Sequence, residues 1–213
     1  MRKLISVIIA LCLAVMPALA LADSELAPSS FSWVTDEQFE LYDLGFSITL
    51  PEGWSHADEA TLNAMNGLDE NGNIIDDGTE SVSALTPTAI AVIYNADYSV
   101  STIISCEDVE DPEAVTTIDQ YMELLANDIV SSSSGEDGVT YSYDPTTISD
   151  ATLCTQTFRE MAVNGSDGSI IDLLVCHSGM GTYYSFMIIG TGNSIGAFAV
   201  DFVTSINEIE AVG

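Results

Sequence analysis

The chain has 213 residues, 47 % of them hydrophobic, and its formal net charge of −30 comes from 33 Asp and Glu against three Lys and Arg. That charge disfavours nucleic acid and anionic membrane surfaces as partners, because like charges repel, and leaves cations and basic proteins. Acidic disorder, the other consequence of high charge, conflicts with the alternating apolar runs described below.

Arg2 and Lys3 precede an apolar run from Leu4 to Met16, Pro17 breaks it, and Ala20-Leu21-Ala22 places small residues at the −3 and −1 positions of a cleavage site. This is the layout of a secretory signal peptide. The run is shorter than the about 20 residues of a membrane span, and no charged stop-transfer cluster follows it. Leu11, before Cys12, is not the small residue that lipidation requires. Residues 1–22 are therefore expected to be removed, with the protein secreted or otherwise extracytoplasmic and no transmembrane segment in the mature chain. Arg159 is then the sole Lys or Arg against all 33 acids. Most carboxylates must face water, and their repulsion should weaken the fold at low salt. Residues 23–38 read as a flexible leader and 39–213 as a single α+β domain.

Within the domain, Phe46, Ile48 and Leu50 alternate with Ser47 and Thr49, the period of a half-buried strand, which Pro51-Glu52-Gly53 ends before Trp54. Residues 58–65 suit a short helix ending at Asn66-Gly67. Residues 68–79 form an Asp-, Asn- and Gly-rich loop. Residues 88–94 and 99–106 flank Asn95-Ala96-Asp97-Tyr98 as a β-hairpin. Thr117 and Gln120 match a helix capping box, and Ile118, Met122, Leu125 and Ile129 fall on one helical face. Strands are expected over 139–143, 151–162, 169–177 and 183–189, with a turn at 164–168. Asn193 or Ser194 then caps a helix lined by Ile195, Phe198, Phe202 and Ile206. Hairpins dominate, which predicts an α+β fold with an antiparallel β-sheet flanked by helices.

Phrases such as GFSITLPEGW, the TAIAVIY-NADY-SVSTIIS hairpin and the closing YYSFMIIG with FVTSI resemble the PsbP-like fold family. That group includes a photosystem II extrinsic protein, a Ran-binding nuclear import factor and many exported bacterial proteins. The resemblance spans roughly residues 41–206. It implies an α/β/α sandwich, and it carries over no catalytic residues, because the fold does not determine the site.

The sharpest chemical motif lies in the 69–80 loop. In an EF-hand register Asp69, Asn71, Asn73, Asp77 and Glu80 would occupy positions 1, 3, 5, 9 and 12, all with side-chain oxygen suited to Ca²⁺. Position 6, normally Gly, is Ile74, and no exit helix follows Glu80. The competing reading is a solvated loop in which Asn-Gly and Asp-Gly form turns. If the hairpin turns near Gly165-Ser166, residue 154 lies opposite about residue 177. Cys154 and Cys176 are then neighbours, either as a disulfide in an oxidising compartment or as buried thiols. Cys106 is the odd cysteine. His56 and His177 belong to no GxSxG or metal motif. Arg159 is either a surface residue among carboxylates or an anchor for a ligand carboxylate.

The sequence thus predicts an exported, acidic, non-enzymatic interaction module without a cofactor, acting on another exported or cell-envelope protein. The alternatives are a calcium- or small-ligand-binding protein using the 69–80 loop, and a hydrolase with paired carboxylates.

Overall fold

A computed structural model describes residues 30–75, 85–109, 115, 117–132, 138–178 and 181–209. The signal-peptide reading of 1–22 falls outside them. In chain order the elements are β1 (Phe31–Thr35), β2 (Gln38–Leu41), β3 (Phe46–Thr49), β4 (Ser55–His56), α1 (Glu59–Met65), β5 (Thr88–Tyr94), β6 (Ser101–Asp108), α2 (Ile118–Ser132), β7 (Tyr141–Tyr143), β8 (Ser149–Leu153), β9 (Gln156–Gly165), β10 (Ser169–His177), β11 (Thr182–Thr191), α3 (Gly192–Ser205) and β12 (Ile206–Glu208).

The expected antiparallel sheet forms the centre, in the order β4-β5-β6-β11-β10-β9-β7, with β8 pairing along the other end of β9. β6, β10 and β11 are central, and apolar residues on both of their faces are buried. On one face, α2 lays down Tyr121, Met122, Leu125 and Ile129 over residues that include Met161, Leu173 and Met187. The Thr117 hydroxyl accepts from the Gln120 N–H at the start of this helix, as the capping pattern predicts. On the other face, Ile195, Phe198 and Phe202 of α3 pack with Phe39, Leu41, Phe46 and Ile48 over Phe158, Tyr184 and Phe186.

Three elements differ from expectation. A second, four-stranded antiparallel sheet, β1-β2-β3-β12, covers part of the α3 face. Strand pairing therefore starts at Phe31, opposite Leu41, within what reads as a leader. Ile206 is not the last residue of the final helix. It opens β12 and pairs with Ile48. The stretch 151–162 is two strands, because Cys154 takes φ 51° and Cys154-Thr155 folds β8 back on β9, Leu153 facing Gln156. Neither turn residue is Gly, Asn or Asp, so the usual hairpin signal is missing. Among the described residues no helix is long and apolar enough to cross a membrane.

Candidate functional site

A groove of about 400 Å³ opens where the β5–β6 connection meets α3, lined by Trp54, Asn95, Asp97, Ser99, Phe198 and Asp201 among others. Local chemistry sets each wall. In the connection, the Asn95 side-chain oxygen accepts from the Val100 N–H, and the Asn95 amide donates to the Ser99 hydroxyl. Asp97 accepts from the Ser99 N–H at 3.0 Å. Hydrogen bonds from Ser99 hold the Asp97 carboxyl below its ordinary value, so it is ionised at neutral pH.

The aromatic wall depends on two glycines. Gly53 takes φ 82° after Pro51-Glu52, and a Cβ there would meet Ala96 Cβ at 3.2 Å. The turn can therefore lie against the hairpin and deliver Trp54, which stacks on Phe198 with centroids 4.5 Å apart and planes 12° apart. A Cβ at Gly190 would come within 2.9 Å of Val100 Cγ2 and 3.1 Å of Ile195 Cγ1. Glycine there lets the end of β11 close on the hairpin. α3 then starts at Thr191, whose side chain forms a reciprocal capping box with Ser194. The cap is Thr191 rather than Asn193 or Ser194. Phe198 points into the core, and Asp201, three residues on, is exposed. The Asp201 carboxylate makes no hydrogen bond or ion pair among the described residues; only its backbone carbonyl accepts, from Thr204.

The residues singled out by sequence lie elsewhere. Asp69, Asn71 and Asn73 do come together. Asp69 Oδ1 accepts from the backbone N–H groups of Asn71 and Asn73 at 2.8 and 2.9 Å, and the Asn73 amide donates to both Asp69 oxygens. These bonds, those from Asn73 foremost, lower the Asp69 carboxyl below its ordinary value. A Leu68–Ile74 bridge closes the loop. Asp77 and Glu80 lie outside the described residues.

Cys106, Cys154 and Cys176 are all free thiols here. The expected register for the pair is off by about three residues. Val175 faces Arg159 as the last pair between β9 and β10, so Cys176 lies one residue beyond that paired stretch, while Cys154 sits in the β8–β9 turn. Cys106 and Cys176 instead flank Tyr184 from β6 and β10, and burial pushes both thiols up to about 12.

Arg159 stands among carboxylates, as the first of its two readings has it, and is not free for a ligand. Its guanidinium holds Asp119 of α2 at 2.7 Å and also Asp150 of β8. His56 is stacked on Trp33 at 4.0 Å, with Nδ1 2.8 Å from the Ala57 carbonyl oxygen.

Two further polar clusters sit on the sheet. Glu107 is buried, accepts from the Tyr121 hydroxyl at 3.0 Å and from the Thr86 N–H, and is raised by burial. Asp172, on the opposite face, is pushed up to about 7 by burial and by the neighbouring Glu160 carboxylate.

Layered helix, sheet, and helix with a small sheet make this an antiparallel α+β sandwich, with an acidic and aromatic groove at one end. The solution structure of cyanobacterial PsbP (CyanoP) from Synechocystis sp. PCC 6803 is similar, with a TM-score of 0.50 at 9 % identity over 89 % of this chain and 98 % of that one. The fold is therefore PsbP-like. A crystal structure from Bacteroides thetaiotaomicron VPI-5482 aligns at 10 % identity over 81 % of this chain and 48 % of the other, with a TM-score of 0.41. No protein-family model matches the sequence, and no curated protein matches it.

Proposed function

We propose that the protein is an exported, non-catalytic binding module that docks a basic partner protein at the groove beside α3. One observation carries this reading: the groove joins two carboxylates and a tryptophan in a chain that has no lysine or arginine to spare for them. After Lys3 the sole Lys or Arg is Arg159, and Arg159 is held by Asp119 and Asp150. A strongly negative surface also speeds encounter with positive partners and suppresses negative ones.

Carboxylate acid/base catalysis is less well supported. It needs one carboxyl raised toward the working pH beside one kept ionised. Asp97, in the groove, is lowered, and the raised Asp172 is not among the groove residues.

The test is a pull-down from the producing cell's envelope with the immobilised mature chain, repeated at about 0.1 and about 0.5 M salt, a range over which the screening length falls about twofold. Recovery of a specific basic protein that is lost at high salt supports the reading. Recovery of no specific partner, together with turnover of a small substrate, refutes it.

A further inference from the structure

We infer, building on that reading, that the groove recognises one lysine or arginine side chain, presented by a segment that also lies along the outer face of α3. Four features converge on this ligand chemistry. The carboxylates of Asp97 and Asp201 come from separate elements, the hairpin and the helix, and line the same groove. Asp97 is anchored by Ser99, whereas the Asp201 carboxylate has no partner among the described residues and is open to a cation. Trp54 adds an aromatic surface, on which ammonium and guanidinium groups are favoured. The volume of about 400 Å³ lies at the small end of ligand pockets, which suits a long side chain with its flanking backbone.

The fourth feature is the helix itself. Asp201 is the only charged residue of α3's fourteen, in a chain where 17 % are charged. Val200 and Val203 are 64 % and 48 % exposed, and Gly196 and Ala197 are exposed on the same helix. An uncharged strip of small and apolar residues beside a carboxylate-lined groove can be covered without stripping water from charged groups. A partner segment with a cation flanked by small apolar residues matches both parts. Long basic side chains suit this geometry, since their stems pack on apolar surface while the charged head reaches the carboxylates.

The experiment uses the mature chain and the blocked peptide acetyl-Ala-Ala-Arg-Ala-Ala-amide, followed by calorimetry and by tryptophan fluorescence in a Trp33→Phe background, where Trp54 is the only tryptophan. Saturable binding that changes Trp54 emission is expected, weakened at least tenfold in Asp97→Asn/Asp201→Asn. A control that removes the same charge from exposed positions, Asp36→Asn/Glu37→Gln, should change affinity less than twofold. Asp201→Asn alone, at a carboxylate with no internal partner among the described residues, keeps the test valid if the hairpin turn needs Asp97. Equal weakening in the groove variant and the control would mean diffuse attraction to net charge and would overturn the inference. So would binding that leaves Trp54 emission unchanged. If a basic partner is captured but the groove variants bind it as well as wild type does, this inference falls and the broader reading stands.

Discussion

Asp172 lets the burial of charge be measured directly. It lies on β10 opposite Ala162 and Ile188, and Glu160 is diagonal to it across the β9–β10 pair, opposite Leu174. Burial, then the Glu160 carboxylate, lift its carboxyl from 3.8 to about 7. The folded chain thus holds this proton over a range where the unfolded chain has released it. Stability from this group is present below pH 3.8, declines as pH rises through the window to about 7, and is fully lost above it. The whole interval corresponds to about 4 kcal/mol at about 1.36 kcal/mol per pH unit. Asp172 is only partly buried and shares the effect with Glu160, so about 1–3 kcal/mol is the expected size. Asp172→Asn keeps the shape and removes the ionisation. At about pH 8 the variant should therefore be more stable than wild type by about 1–3 kcal/mol, and at about pH 5, early in the window, by about a third of that. With urea slopes of about 1–3 kcal/mol/M, the midpoint should move up by roughly 1 M at the higher pH and clearly less at the lower. Both proteins are compared at the same salt, so the repulsion of the other carboxylates is common to both. A variant that is less stable by the same amount at both pH values would refute the reasoning, because a packing loss does not depend on pH.

Tyr121→Phe deletes the hydroxyl that donates to buried Glu107 and should cost about 1–3 kcal/mol; an unchanged melting temperature would contradict this role. Phe202→Ala empties a site that is 1 % exposed between Phe186 and Phe198, with an expected loss of about 3–5 kcal/mol in denaturant unfolding. In native protein at mildly alkaline pH a thiol reagent should reach Cys154 first, with Cys106 and Cys176 reacting only on unfolding, since both are 1 % exposed and raised to about 12. A non-reduced, unfolded chain that lacks two of these three thiols would show a disulfide instead. Lowering salt from about 0.5 to about 0.02 M should reduce the melting temperature, because unscreened repulsion then acts on the compact state of a chain at −30 net charge; a salt-independent transition would count against that account.

Elements whose cause is local were legible without coordinates. Alternation in 46–50, the one-sided spacing of Ile118, Met122, Leu125 and Ile129, and the 88–106 hairpin each reflect a side-chain period that the backbone imposes. All three stand in the structure. Charge was equally readable, and it disfavoured nucleic acid and anionic membrane surfaces while leaving cations and basic proteins open. The second sheet was not. β1 is five residues long and follows a Ser- and Pro-containing stretch, and β12 is three residues long and finds its partner β3 at the opposite end of the chain, Ile206 against Ile48. Pairing at that range leaves no local pattern. The turn at Cys154-Thr155 hid because its residues lack turn chemistry, and the cysteine register differs because the β9–β10 turn centres on Asp167, with Ile170 opposite Asn164. The groove is the extreme case. Trp54, Asp97 and Asp201 were each visible as a residue after a turn, in a hairpin and on a helix. Only tertiary packing, with two glycines allowing backbones to approach, brings an aromatic ring and two carboxylates from three distant segments to one place.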